Sequence, residues 1–315
     1  MKKILILLAI VLWTSGFQSL WAWGREGHEI VALAAQAQLS EATIAALNDL
    51  RKQQINANDL VTGETFPAFK YIDSNIPLFL NNPDLDLSLI ANWADGWRGS
   101  HKGTADWHFI DLDINKDETK ADEDSFCHGS NLNNPRQNDC NVEQLALDMK
   151  TLGDTTQPVL DRIKALFFIV HFVGDLHQPL HCANDNDRGG NDKPVKFFNR
   201  SYNLHKIWDV DIITENRKTA KEIADGITVS DDQRSAWTQG DPGDWSLESY
   251  QIAKKKIYPA YPKDGSTPSY GQDYENEMWP IALEQLSKAS VRLAYLLNKS
   301  LGSPNGSATS SQGHN

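Results

Sequence analysis

Hydrophobic positions recur along most of the chain at three- and four-residue intervals, the period of an amphipathic helix. Residues 26–39 and 41–54 read as two helices separated by Ser40, a side chain suited to an N-cap. Further helices are predicted over residues 87–97, over 141–152 with Asn141 as the cap, over 204–213 and over 280–298. Residues 158–177 form a long apolar helix that Pro179 ends. The run WHFIDLDI, residues 107–114, reads as a short extended piece. Alternating strand patterns are otherwise scarce, so the expected fold class is mainly α. No repeat or linker divides the chain, and residues 23–300 are expected to form a single domain, large for one core but within its range. Residues 301–315 read as a polar, flexible tail.

The first 22 residues follow a different pattern. Lys2 and Lys3 precede a ten-residue apolar run, which Thr14, Ser15 and Gly16 break. This is the pattern of a secretory signal peptide and is too short to span a bilayer. Cleavage after Ala22 is expected, giving a secreted or periplasmic protein. No later stretch is long and apolar enough to anchor it in a membrane.

Removing that segment takes away two lysines and no acids, moving the formal net charge from −12 to −14. Proteins that grip polyanions usually carry a basic face. An affinity for phosphate here would need a local source of positive charge, and bound metal cations are the obvious one. Three cysteines are present: Cys127, Cys140 and Cys182. Export permits a disulfide, and Cys127 and Cys140 flank a polar loop they could close. The spacing alone leaves the pairing open, with Cys182 as the odd thiol.

The most informative chemistry lies in the least polar helix. Between Val159 and Leu176 apolar residues occur on every face, as in a buried helix, yet His171 and Asp175 stand four apart on one face. A buried carboxylate is costly unless it is paired or binds a metal. Taken alone, a His–Asp brace in the core is as good an explanation. His181 follows just beyond Pro179, and His205 and Asp209 repeat the four-residue spacing in NLHKIWD. Imidazole and carboxylate on adjacent turns form a zinc half-site. Upstream, WADGWR supplies Asp95 and Arg98, and WHFIDLDINK supplies His108, Phe109, Asp111, Asp113 and Lys116. Each of these has a bland reading by itself. Finally, cleavage after Ala22 would expose WGREGHEIV, where the amine and carbonyl of Trp23 could chelate a metal that His28 also reaches.

In this order, the Trp-Gly start, the run HFVGDLHQPLH and the later LHKIWD resemble the S1/P1 nuclease family, which shares its fold with zinc-dependent phospholipase C. The resemblance implies three zinc ions. One would be held by Asp95, His108, His171 and Asp175. A second would be held by Trp23, His28 and Asp175, which bridges the pair. A third would be held by His181, His205 and Asp209. It also implies that Arg98 clamps the phosphoryl oxygens, that Asp113 orients the attacking water with support from Lys116, and that Phe109 and Asp111 receive a base. Asn191, in the GGN of residues 189–191, would line the cleft. Asp187 and Arg188 depart from the pattern by standing where an apolar wall is expected.

The implied activity is endonucleolytic hydrolysis of single-stranded RNA and DNA to 5′-phosphate products, with 3′-nucleotidase activity as an extension. A monomer is expected. A phospholipase C-like activity on lipid head groups would use the same metals, but it does not account for Phe109 and Asp111. A non-catalytic zinc-binding protein does not account for Arg98, Asp113 and Lys116.

Overall fold

The structure is a computed structural model and describes residues 23–63, 70–128 and 140–302. The segment read as a signal peptide and nearly all of the polar tail lie outside the described residues, as does most of the loop between Cys127 and Cys140. The mainly α expectation holds. Helices α1 (Arg25–Gln36), α2 (Glu41–Arg51), α3 (Lys70–Asn81), α4 (Trp93–Ser100) and α5 (Lys120–His128) come first. The central pair follows, α6 (Asn141–Gly153) and α7 (Val159–Leu176). Short helices α8 (Leu204–Lys206) and α9 (Ile212–Thr214) flank a π-helical turn over Ile207–Asp211. The chain continues through α10 (Ala220–Gly226), α11 (Asp231–Trp237) and α12 (Pro242–Ile252) into the long α13 (Gln272–Leu301).

Helix α7 is the axis of the core. Every residue from Ala165 to Leu176 is buried, because α1, α4, α6, α12 and α13 all pack against it. Helix α1 turns Ile30, Val31 and Ala34 inward and lies between α7, α10 and α13. Strands are short. β1 (Leu112–Asp113) pairs in parallel with β2 (Ala183–Asn184), which ties the segment after His108 to the segment after His181. β3 (Pro194–Phe197) and β4 (Arg200–Asn203) form a hairpin, and β5 (Ser269–Tyr270) joins β3 in parallel. Cys127 and Cys140 form a disulfide, and Cys182 is free and buried. Among the described residues no helix is long and apolar enough to cross a membrane.

Several element boundaries differ from the sequence reading. The single helix expected over residues 87–97 is a 3₁₀ turn (Leu87–Leu89) followed by α4. The extended piece expected over 107–114 narrows to β1, because a 3₁₀ turn (Lys102–His108) carries the chain up to His108. Helix α13 begins eight residues before Pro280 and holds that proline inside it. The backbone hydrogen bond that Pro280 cannot donate is outweighed by burial of the first turns. Tyr274 stacks on Tyr270 at 3.9 Å and accepts the indole N–H of Trp208 at 3.0 Å, and Met278 is fully enclosed.

Candidate metal centre

Every predicted His and Asp ligand is buried, and three groups converge: His28, His171 and Asp175; Asp95, His108 and His171; and His181, His205 and Asp209. Helix α7 supplies His171 and Asp175, α4 supplies Asp95, and α1 supplies His28. The 3₁₀ turns Lys102–His108 and Pro179–His181 end on the predicted ligands His108 and His181. His205 sits in α8, with Asp209 one turn later in the π segment.

In the first two groups Asp175 is the hub. Its Oδ2 lies 3.0 Å from His108 Nδ1 and 3.3 Å from His171 Nε2, and its Oδ1 lies 3.3 Å from His28 Nε2. Asp95 Oδ1 stands 3.8 Å from His171 and 3.9 Å from His108, and Arg98 contacts the same oxygen at 3.0 Å. Asp95 Oδ2 and His28 Nδ1 are buried with no hydrogen-bond partner among the described residues. The rings of His28 and His171 stack at 3.8 Å. Gly174 permits this approach, since a Cβ there would lie 2.6 Å from His28 Nδ1.

Backbone carbonyls set the imidazole tautomers. His171 Nδ1 donates to Ala91 O at 2.8 Å, His181 Nδ1 to His108 O at 2.7 Å and His205 Nδ1 to Gly189 O at 2.7 Å. A carbonyl can only accept, so each Nδ1 carries a proton, and each ring turns its Nε2 into the centre. The Nε2 atoms of His181 and His205 face one another at 3.2 Å, and Asp209 Oδ2 stands 3.2 Å from His205. Two imidazole nitrogens and a carboxylate oxygen converging this closely in a buried pocket suit a cation between them. These separations match the edge of a tetrahedron around zinc, about 3.3 Å for bonds of about 2.0–2.1 Å. The donor set, all imidazole and carboxylate, fits a hydrolytic zinc site, and the carbonyl acceptors behind the imidazoles are the usual outer support.

The electrostatics agree. Burial alone would raise the Asp175 carboxyl, but His171, His108 and His28 hold it well below the usual range. Burial would likewise raise Asp95, which Arg98, His171 and His108 hold below its ordinary value. Burial pushes His28 and His108 down to about 4, so both are neutral ligands at neutral pH. At Asp209 burial wins and drives the carboxyl well above its ordinary value, even though Gln178 donates to it at 2.5 Å. An ionised Asp209 therefore calls for a cation.

The remaining predicted residues lie around this centre. Phe109 and Asp111, half-buried, directly follow His108. Asp113 Oδ1 accepts the backbone N–H of Asn115 at 2.9 Å, and Lys116 stands 3.5 Å from Asp113 Oδ2. Asn191 donates to Arg188 O at 2.9 Å, within the loop between β2 and β3 that packs against His205. Trp23 is fully buried, and the next residue, Gly24, donates its N–H to Asp209 O at 2.7 Å, which brings the start of α1 to the centre. Sequence reasoning missed Gln178, which caps the turn carrying His181 and also grips Asp209. Its signal was a Gln directly before a helix-starting proline.

Comparison with known proteins agrees with this geometry. The S1/P1 Nuclease family model matches residues 23–302. Endonuclease 1 of Arabidopsis thaliana is 26% identical, over 94% of this chain and 92% of its own length. Nuclease S1 of Aspergillus oryzae is 26% identical, over 89% and 92%. Nuclease P1 of Penicillium citrinum is 27% identical, over 69% and 85%. With its family match running from the buried Trp23 past the last predicted ligand to the end of α13, the chain belongs to the S1/P1 nuclease family.

Proposed function

We propose that this protein is a secreted, zinc-dependent endonuclease. It hydrolyses phosphodiester bonds of single-stranded RNA and DNA to 5′-phosphate products and holds three zinc ions. The carrying observation is the convergence of the Nε2 atoms of His181 and His205, 3.2 Å apart, beside Asp209. Asp95, His108, His171 and Asp175 would hold one ion, and His181, His205 and Asp209 another. His28 and Asp175 would hold the remaining one, joined by the amine and carbonyl of Trp23 once the preceding residues are removed. Asp175, with one oxygen toward His28 and the other toward His108 and His171, has the geometry of a bridge. Bound zinc supplies Lewis acidity, lowering the pKa of water toward about 7 and neutralising charge on phosphoryl and leaving oxygens.

The chain's own residues supply position and selectivity. Arg98, fixed against Asp95, offers a planar fork of donors matched to phosphoryl oxygens. The Asn115 amide holds the Asp113 carboxyl below its ordinary value, so it stays an acceptor at neutral pH and can orient the hydrogen of an attacking water. Lys116 supports it from the surface. Phe109 gives a base a face to stack on, and Asp111 accepts from the base edge. Asn191 lines the cleft.

Incubating the zinc-loaded protein with single-stranded DNA, RNA, 3′-AMP and phosphatidylcholine tests this. Cleavage of both oligonucleotides to 5′-phosphate ends, abolished by a chelator, is expected. Turnover of the lipid alone, or zinc binding with no turnover, would sink the nuclease reading.

A further inference from the structure

The loop between β2 and β3, which packs against His205 of the third His/Asp group, is held in an unusual backbone. Asn186 (φ 55), Arg188 (φ 55), Gly189 (φ 61) and Gly190 (φ 86) are all left-handed, a region that side-chain-bearing residues disfavour. This geometry turns the Gly189 carbonyl onto His205 Nδ1 at 2.7 Å. A side chain at 189 is excluded, because its Cβ would lie 2.4 Å from Leu180 O.

What locks the loop is Asp187, whose side chain is 7% exposed. Its backbone N–H donates to Asn184 Oδ1 at 3.0 Å, and its carbonyl accepts from the Asp192 N–H at 3.0 Å. Its Oδ1 accepts from the Asp185 N–H at 3.1 Å and from the Tyr258 hydroxyl at 3.0 Å. Tyr258 arrives from a distant 3₁₀ turn (Tyr258–Ala260) and is buried, and both burial and the neighbouring Asp187 keep its hydroxyl protonated, as a donor. Lys193 Nζ stands 3.6 Å from Asp187 Oδ2.

We propose that Asp187 and Tyr258 are positioning residues for the third group. Through the left-handed loop and the Gly189 carbonyl, they fix the tautomer and aim of His205 toward His181 and Asp209. This rests on the reading that the group holds zinc. It assigns a role to the acid that stands where the family pattern leads one to expect an apolar wall.

The test is metal binding by the full chain. Metal-free wild type, Tyr258→Phe, Asp187→Ala and Asp187→Asn are titrated with zinc against a chromophoric chelator, and the Co²⁺-substituted proteins are compared by visible absorption. Outer supports of this kind are worth about 10–100-fold in metal affinity. Tyr258→Phe and Asp187→Ala should therefore weaken one of three equivalents by about that factor, alter one part of the Co²⁺ spectrum and leave the other two equivalents unchanged. Asp187→Asn keeps the Oδ1 acceptor and should bind like wild type. Tyr258→Phe removes a single oxygen, so it carries the test if Asp187→Ala does not fold. Wild-type affinity for all three equivalents in Tyr258→Phe, or equal weakening of all three, overturns the proposal. A wild type that never binds a third equivalent overturns the functional reading instead.

Discussion

Asp175 shows how much of the centre can rest on one side chain. Its two oxygens face three imidazoles from α1, α7 and the His108 turn. Asp175→Asn keeps the shape but removes the charge between them. It should cost at least one zinc equivalent and nearly all activity, read by metal analysis and by oligonucleotide cleavage. Asp161→Asn is the control: that acid is exposed on the first turn of α7 and should tolerate the change. Full metal content and normal turnover in Asp175→Asn would remove the bridge. The convergence of the candidate ligands was legible in the sequence because His171/Asp175 and His205/Asp209 stand four apart in segments too apolar to carry them cheaply. Their outer partners were not legible. Ala91 and Gly189 act through backbone carbonyls, which every residue possesses, and only the folded chain shows which ones point at an imidazole.

At the scale of elements, α7 joins core and chemistry, and Gly174 marks where the two conflict. In a helix interior alanine is favoured over glycine by about 1 kcal/mol. Here a Cβ would collide with His28 at 2.6 Å, and overpacking of that kind costs about 1–3 kcal/mol. Gly174→Ala should therefore lower the thermal midpoint and weaken zinc at the His28 group, seen by calorimetry and metal titration. A stabilised variant with full metal affinity would show that His28 can move aside. The buried helices were readable from periodicity. Three later helices needed another signal: α10, α11 and α12 open with reciprocal capping boxes, Thr219/Glu222, Ser230/Gln233 and Asp241/Asp244. Helix α3 was hidden by Pro77, which sits within it although Ile72, Ile76 and Phe79 keep helical spacing.

For the whole molecule, the centre draws its side chains from residue 28 to residue 209, so metal bound there would be coupled to folding. Each zinc held at a hundred times its dissociation constant adds about 2.7 kcal/mol to stability, provided the unfolded chain does not bind it. Chelation should lower the melting temperature markedly and restoring zinc should recover it, measured by calorimetry at fixed salt. An unchanged midpoint would mean that the histidines and acids are braced without metal. The chain's acidic balance, −12 overall, is consistent with a protein whose phosphate affinity is carried by its ions. The π-helical turn at Ile207–Asp211 carries a consequence of a different kind, for insertions and deletions. It aims Asp209 at the centre, Trp208 at Tyr274 of α13, and Ile212 and Ile213 at the core. A π turn holds one residue more than the α-helix would need, and each residue advances a helix by about 100°. Losing one residue there would put the stretch before it and the stretch after it out of phase. Such a deletion would have to abandon either the acid or the core behind it, whereas a substitution leaves the phase intact.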